Sequence, residues 1–267
     1  MLELLQLQNV GPAPTMTMEL APRVNLITGD NGLGKSFLLD IAFWALTRKW
    51  PAEINPRLGS GAMARPRTAN KASIAFRFEG YTKPARYAAE FDRKQQAWRG
   101  KPGRPSNPGL VLYAHADGGF SVWDPSRNYW WQEGTTDVQI LPPAFVFTAN
   151  EVWEGLRVGE TTVCTGLLFD WILWRGLGGE PFSILERVLE ALSPPGGPRL
   201  EPGPFVRVGL DAREYPSLTM PDGVLVPLIH ASAGVRRVVA LAYLLVWAWR
   251  EHEMASKQVG KPVGKQI

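Results

Sequence analysis

The chain has 267 residues, 45% of them apolar and 20% charged, with a net charge of +4, which is enough to bury a sizeable core as one domain with insertions or as two closely joined lobes. Its single cysteine, Cys164, excludes an internal disulfide and a cysteine-based zinc site and points to the reducing cytoplasm. The apolar run from Val238 to Trp249 is twelve residues, short of the about 20 that cross a bilayer, and Met1-Leu2-Glu3-Leu4 has no basic stretch ahead of an apolar core, so neither a membrane span nor a signal peptide is read.

Residues 2–9 alternate apolar and polar after Leu4, and Met16 to Leu20 alternates again beyond Gly11-Pro12-Ala13-Pro14; period and punctuation predict a β-hairpin. Val24-Asn25-Leu26-Ile27-Thr28 reads as a short buried strand. It feeds Gly29-Asp30-Asn31-Gly32-Leu33-Gly34-Lys35-Ser36, and Ser36–Thr47 reads as a helix that ends before Pro51. A glycine, four residues and Gly-Lys-Ser between a strand and a helix form a P-loop in its proper setting. Glycines let backbone N–H groups curl around phosphate oxygens, and the helix aims its positive end at them. Lys35 is expected to reach the β/γ-phosphates and the Ser36 hydroxyl to hold Mg²⁺. An ordinary Gly-rich turn is the plain alternative, and the strand and helix on either side weigh against it.

The next stretch is basic. Between Arg48 and Arg104, fourteen Lys/Arg stand against four Asp/Glu, a local +10 that leaves the remainder at −6. Within it, Ser73–Phe78 and Tyr87–Phe91 read as a hairpin with loose basic arms. Nucleic-acid phosphates are a candidate ligand of this segment, against a solvated surface as the alternative, because base-stacking aromatics are few and several alternate into the strands. Leu110–Ala114 and Gly119–Trp123 make a further hairpin around Asp117-Gly118.

After Pro142-Pro143, Ala144–Thr148 reads as a strand, and Asn150 is the expected cap of a helical turn from Glu151 to Leu156. Thr161–Leu177 and Phe182–Leu192 are expected as two helices, so the chain turns here from β-rich to α-rich. Phe205–Leu210, Tyr215–Met220 and Val224–Leu228 follow as strands. The run 238–249 reads as a helix buried on all sides. His230-Ala231-Ser232-Ala233-Gly234-Val235-Arg236-Arg237 precedes that helix. Small residues and a serine cap expose backbone N–H groups there, giving a second anion site by geometry or an ordinary N-cap.

Together, the P-loop after an N-terminal hairpin, the helical insert and the start Ser-Ala-Gly-Val-Arg-Arg about 200 residues later resemble the ABC-type ATPases of the SMC, RecF and OLD-like branch, often described as AAA-family ATP-binding proteins. The resemblance implies an α/β fold: a P-loop NTPase head of ABC type with an antiparallel β part and a helical lobe, incomplete at its C-terminus. It implies ATP and Mg²⁺ as ligands. It also makes Ser232, Ala233 and Gly234 the signature, whose serine and backbone N–H groups contact the γ-phosphate held by a partner's P-loop, so that ATP joins two copies. The expected division is 1–150 as the P-loop lobe with a basic β insert at about 48–108, 151–200 as the helical lobe, and 201–267 as hairpin, signature and following helix.

The family places a strand ending in Asp-Glu after the signature helix, the Asp in the metal shell and the Glu on water. Arg250 to Ile267 shows no such strand. The chain is therefore expected to be a fragment cut before Walker B, binding phosphate with little or no hydrolysis. Asp170 and Asp211 each end an apolar run ahead of the signature, without a second acid, and read as structural. The family's Q-loop glutamine has only Thr148 and Asn150 near its expected place. The alternative function is a small-molecule kinase or other nucleotide-binding module. A GTPase is disfavoured, since Asn70-Lys71-Ala72-Ser73 lacks the guanine-reading Asp. His115, His230 and His252 are too scattered for a metal trio. Cys164 reads as a small core residue, and Trp123, Trp130, Trp131, Trp153, Trp171 and Trp174 as packing residues between lobes, with Trp171 and Trp174 on one helix face.

Overall fold

The computed structural model describes residues 1–79, 85–100, 108–128, 142–258 and 260. Trp130 and Trp131 lie outside these residues. Among the described residues the chain forms two compact units, one within 1–117 and 121–146, the other within 118–120 and 147–260. No helix among the described residues is long and apolar enough to cross a membrane.

In the first unit, β1 (Leu2–Gln8) and β2 (Thr15–Glu19) form the expected hairpin, with Leu4 opposite Glu19 and Gln8 opposite Thr15. Its turn uses Asn9 at φ 57 and Gly11 at φ 83; a Cβ on Gly11 would collide with the Phe37 ring, so the hairpin tip and the following helix lie close together. β3 (Ser73–Phe78), β4 (Ala85–Asp92) and β5 (Ala97–Gly100) extend β1 on its other side, giving an antiparallel sheet of order β2-β1-β3-β4-β5. The basic segment thus contributes three strands of this sheet. Alternation along β1 and β3 puts Leu5, Leu7, Ile74, Phe76 and Phe78 on one side, where α1 (Lys35–Thr47) covers them with Leu38, Ile41, Trp44 and Ala45. Trp44 stacks on Trp50, ring centroids 5.3 Å apart, just before the short α2 (Pro51–Ile54). The opposite face of α1 carries Phe43 into a second cluster with Leu58, Tyr113, Trp123, Ala144 and Val146. Tyr113, Trp123 and Val146 lie on a small sheet, β6-β7-β8, made by Val111–Ala114, Phe120–Trp123 and Phe145–Phe147, while Leu58 and Ala144 lie outside its strands.

One expected element is absent. Residues 24–28 are not a buried strand but an irregular stretch with no strand pairing among the described residues, and Val24 and Leu26 are 81% and 85% exposed. A strand needs a neighbour to take up its N–H and C=O groups. The Asn25 side chain instead closes the turn before it: its Oδ1 accepts from Ala21 N at 2.7 Å, and its Nδ2 donates to Ala21 O at 3.0 Å.

The second unit opens with α3 (Ala149–Glu154), capped by Thr148 rather than Asn150. The Thr148 Oγ1 accepts from Glu151 N, and the Glu151 carboxylate accepts from Thr148 N, a reciprocal capping box. The expected helix Thr161–Leu177 is a hairpin followed by a shorter helix: β9 (Leu156–Val158) pairs with β10 (Thr161–Cys164), and α4 runs from Leu167 to Gly176. β-Branched Thr161, Thr162 and Val163 favour the strand. Gly166, at φ 89, makes the break, and a Cβ there would run into the Glu154-Gly155 backbone. α5 (Glu180–Ala191) follows, then β11 (Glu201–Arg207), β12 (Glu214–Thr219) and β13 (Leu225–Pro227) as a three-stranded antiparallel sheet. The proline-bearing β11 lies at its edge, where a missing N–H costs least.

A 26-residue helix, α6 (Ala233–Gln258), closes the chain's described part. Over 238–249 it is buried except on the side of Leu245, which is 39% exposed. Trp171 and Trp174 share the buried face of α4, against Phe182 and Tyr243 respectively.

Candidate phosphate site and signature

The loop 29–36 has the backbone its glycines permit. Gly29, Gly32 and Gly34 sit at φ 141, 86 and 84, where side chains are strained. A Cβ at Gly32 would meet nothing within 4 Å, so that part of the loop faces open space, whereas one at Gly34 would come within 2.8 Å of Pro12. The hairpin tip thus backs the loop on one side and leaves the other free.

α1 begins at Lys35 with Gly34 as N-cap, no side-chain cap and no acid in its first turn. Its first intrahelical bond is Leu38 N to Gly34 O at 3.0 Å, which leaves the Lys35, Ser36 and Phe37 amides outside the helical ladder. Unused N–H groups with the dipole's positive end behind them are the local chemistry of an anion seat. Lys35 folds back over the loop, its Nζ donating to Gly29 O at 2.6 Å and Asp30 O at 2.7 Å. The ammonium is therefore held above the concavity it would share with a phosphate. Ser36 is exposed on the first turn. These residues fit a phosphate group, with Ser36 as the oxygen donor to a divalent cation. Among the described residues no group of three or more His, Cys, Asp or Glu could hold a metal alone.

A pair that the sequence does not announce lies behind this turn. Asp40, four residues on from Ser36, accepts a hydrogen bond from Tyr113 Oη at 2.7 Å. Burial pushes the Asp40 carboxyl above its usual range, the Tyr113 hydroxyl opposes that, and Asp117 adds to it by repulsion. Asp117 itself accepts from Gly59 N at 2.7 Å.

In the second unit Ser232, Ala233 and Gly234 open α6. Ser232 Oγ accepts from Val235 N at 3.3 Å and its carbonyl from Arg236 N at 2.9 Å, so the serine is an N-cap. All three residues are exposed, and a Cβ at Gly234 would meet nothing within 4 Å. Arg236 lies over the Trp153 ring at 4.9 Å and Arg237 over Phe120 at 5.7 Å.

Much of the basic segment's charge is already engaged. Lys71 pairs with Glu90 and Arg99 with Asp92; Arg65 donates to Gln96, Arg86 to Gln6, and Arg93 to the Thr68 and Asn70 carbonyls. Arg48 is packed between Trp44 and Phe76, and burial lowers its pKa to about 10. Lys83, Lys101 and Arg104 lie outside the described residues.

His115 bonds Ser121, His230 ends a short helical turn, and His252 is buried near Ser256. Asp170 accepts from Thr165 and Tyr243, and Asp211 from Tyr215 and Arg213 N. Asp211 thus ties a local turn, and Asp170 ties the start of α4 to α6. Cys164 is buried against Tyr243, and burial pushes its thiol up to about 12, which makes it a poor nucleophile. Beside it opens a groove of about 570 Å³ lined by Trp153, Phe169, Ile172 and Tyr215 with Arg157 and Arg213. Sequence reasoning missed this groove because its walls come from five separate elements, α3, β9, β10, α4 and β12.

Residues 4–134 match a family described as an AAA domain, a span that contains the whole phosphate loop and α1. Among solved structures, the SMC head domain from Thermotoga maritima is similar at 16% identity over 94% of this chain and 73% of that one, with a TM-score of 0.38. No curated protein matches the chain.

Proposed function

We propose that this chain, whose residues 4–134 are similar to an AAA domain, is the ATP-binding head of an SMC/RecF/OLD-like ATPase. The observation that carries the reading is the seat at 29–36: three glycines with positive φ, an uncapped acid-free helix start, and Lys35 poised over the loop. Such a seat takes a triphosphate through backbone N–H groups and the Lys35 ammonium, while Ser36 offers its hydroxyl to Mg²⁺. The cation would neutralise part of the triphosphate charge. Lys35 would exchange its two carbonyl partners for phosphate oxygens, a stronger, charge-assisted pairing.

The exposed Ser232-Ala233-Gly234 start of α6 supports a second role. A hydroxyl and unobstructed amides at the positive end of a long helix suit the γ-phosphate bound by a second copy, which makes ATP the joint of a homodimer. Hydrolysis, on this reading, needs the acidic pair that the family places after its signature. The work coupled to it acts on DNA or in a defence or repair complex, and the many engaged cations of the basic segment narrow the DNA contact to its remaining charges.

Titration of the chain with a fluorescent ATP analogue and Mg²⁺ tests the central claim. Saturable binding is expected, weakened roughly ten- to a hundred-fold in Lys35→Ala, the range of a lost charge-assisted hydrogen bond. Binding that ignores the substitution would remove the phosphate site from 29–36.

A further inference from the structure

α1 bears two tasks. Its first turn presents Lys35 and Ser36 to the phosphates, and its body is wedged between two apolar clusters, with Leu38, Ile41, Trp44 and Ala45 on the large sheet and Phe43 among Tyr113, Leu58 and Trp123. Apolar burial holds a helix in place but has no direction. A small rotation of the helix about its axis swings the first-turn amides and the Ser36 hydroxyl away from a fixed ligand, and a hydrogen bond, which weakens steeply off its line, opposes that rotation more sharply than an apolar contact does. Phosphate binding depends on that direction, so something directional must fix it.

A polar contact joins α1 to β6. Tyr113 lies in the middle of β6, 8% exposed, with its ring against Phe43 at 5.7 Å and His115 at 4.1 Å, so it has little freedom to turn. Its hydroxyl meets Asp40 at 2.7 Å. Residues four apart on a helix lie one above the other, so Asp40 stands directly behind Ser36. The turn beyond β6 is tied down as well, because Asp117 accepts from the backbone N–H of Gly59 at 2.7 Å.

We propose that Asp40 is a positioning residue of the phosphate site: anchored by Tyr113, it sets the rotation of α1 and thereby the direction in which Lys35 and Ser36 face the ligand. Asp40 does not touch the nucleotide; it acts through the helix. The half-buried carboxylate is costly where it stands, as its raised pKa records, and a residue kept only for packing would be cheaper as leucine or asparagine. The inference rests on the reading of 29–36 as a nucleotide site.

The test measures MgATP binding to the full chain, with melting temperature measured in parallel, for the wild type and for Asp40→Ala, Tyr113→Phe, the double variant, Asp40→Asn, Phe43→Leu and Lys35→Ala. Asp40→Ala and Tyr113→Phe are each expected to weaken binding about ten-fold, the double variant no more than the worse single, since both remove one bond. Asp40→Asn keeps an acceptor for the Tyr113 hydroxyl and should stay within about two-fold of wild type. Phe43→Leu loosens the same packing without touching the bond, and should lower the melting temperature while leaving affinity unchanged. If Phe43→Leu weakens binding as much as Asp40→Ala, or if Asp40→Ala and Tyr113→Phe bind like wild type, the positioning role is overturned and the nucleotide site stands. If the wild type does not bind, or Lys35→Ala binds equally well, the site itself fails and the positioning role fails with it.

Discussion

Asp40 shows what a single residue can hide. Its hydrogen-bond partner is 73 positions away in sequence, so no local pattern reveals it, and only the fold makes the carboxylate half-buried. Because its folded pKa is raised above the ordinary 3.8, chiefly by burial, the fold favours its protonated form. It therefore contributes stability at low pH that is lost as the pH rises from that ordinary value through the raised one. Asp92 and Asp211 are held below the usual range by backbone and tyrosine hydrogen bonds and act in the opposite sense, so the whole-protein profile mixes signs. A difference isolates the effect. The melting temperature of Asp40→Asn minus that of wild type should grow with pH across that window and then level off; a difference that is flat from pH 4 upward would contradict the assignment. Thr148 teaches the converse. The pattern Thr148-x-x-Glu151 is a capping box that the sequence displays openly, and the nearby Asn150, a good cap by type, drew attention from it.

At the scale of elements, periodicity located the hairpin β1–β2, the pairs β3–β4 and β6–β7, helix α5 and the strands β11 to β13 within a few residues, because each has its partner close along the chain or a face buried on one side. Two failures have separate causes. The apolar pattern of Thr161–Leu177 predicts one helix, but Gly166 interrupts it, and the φ of 89 that makes the break is a property of the fold, not of the residue type alone. Val24–Thr28 is apolar enough for a buried strand, but burial requires a neighbour, and among the described residues none pairs with it. Its exposure makes a measurable claim. Val24→Thr and Leu26→Thr should change stability by no more than about 0.5 kcal/mol in denaturant unfolding, whereas Leu5→Ala, at a site 1% exposed, should cost roughly 2–5 kcal/mol. The two threonine variants should also associate less at high concentration, since they remove exposed apolar surface beside unpaired backbone. A cost above 2 kcal/mol for Val24→Thr would place that side chain inside a core.

At the scale of the whole molecule, the loop 29–36 belongs to one compact unit and the helix start 232–234 to the other. Each motif is complete as local structure, and the proposed function joins them through a second copy of the chain. Analytical ultracentrifugation with a slowly hydrolysed ATP analogue and Mg²⁺ should show the mass doubling, and Ser232→Arg, which fills the exposed helix start, should hold the chain at monomer mass while leaving nucleotide binding intact. No change of mass on saturation with the analogue would defeat the dimer. The sequence by itself determined the glycine-rich turn at 29–36 and the serine-capped helix start, because glycine's freedom at positive φ, the lysine's reach and the free amides of a helix N-terminus are local properties that spacing alone specifies. Tertiary structure alone decided that β3 to β5 of the basic segment complete a sheet and engage many of its own charges, that residues 24–28 lie open, and that Tyr113 reaches Asp40 behind the loop. Each of these depends on partners far apart in the chain, and contacts of that kind exist only once the chain has closed on itself.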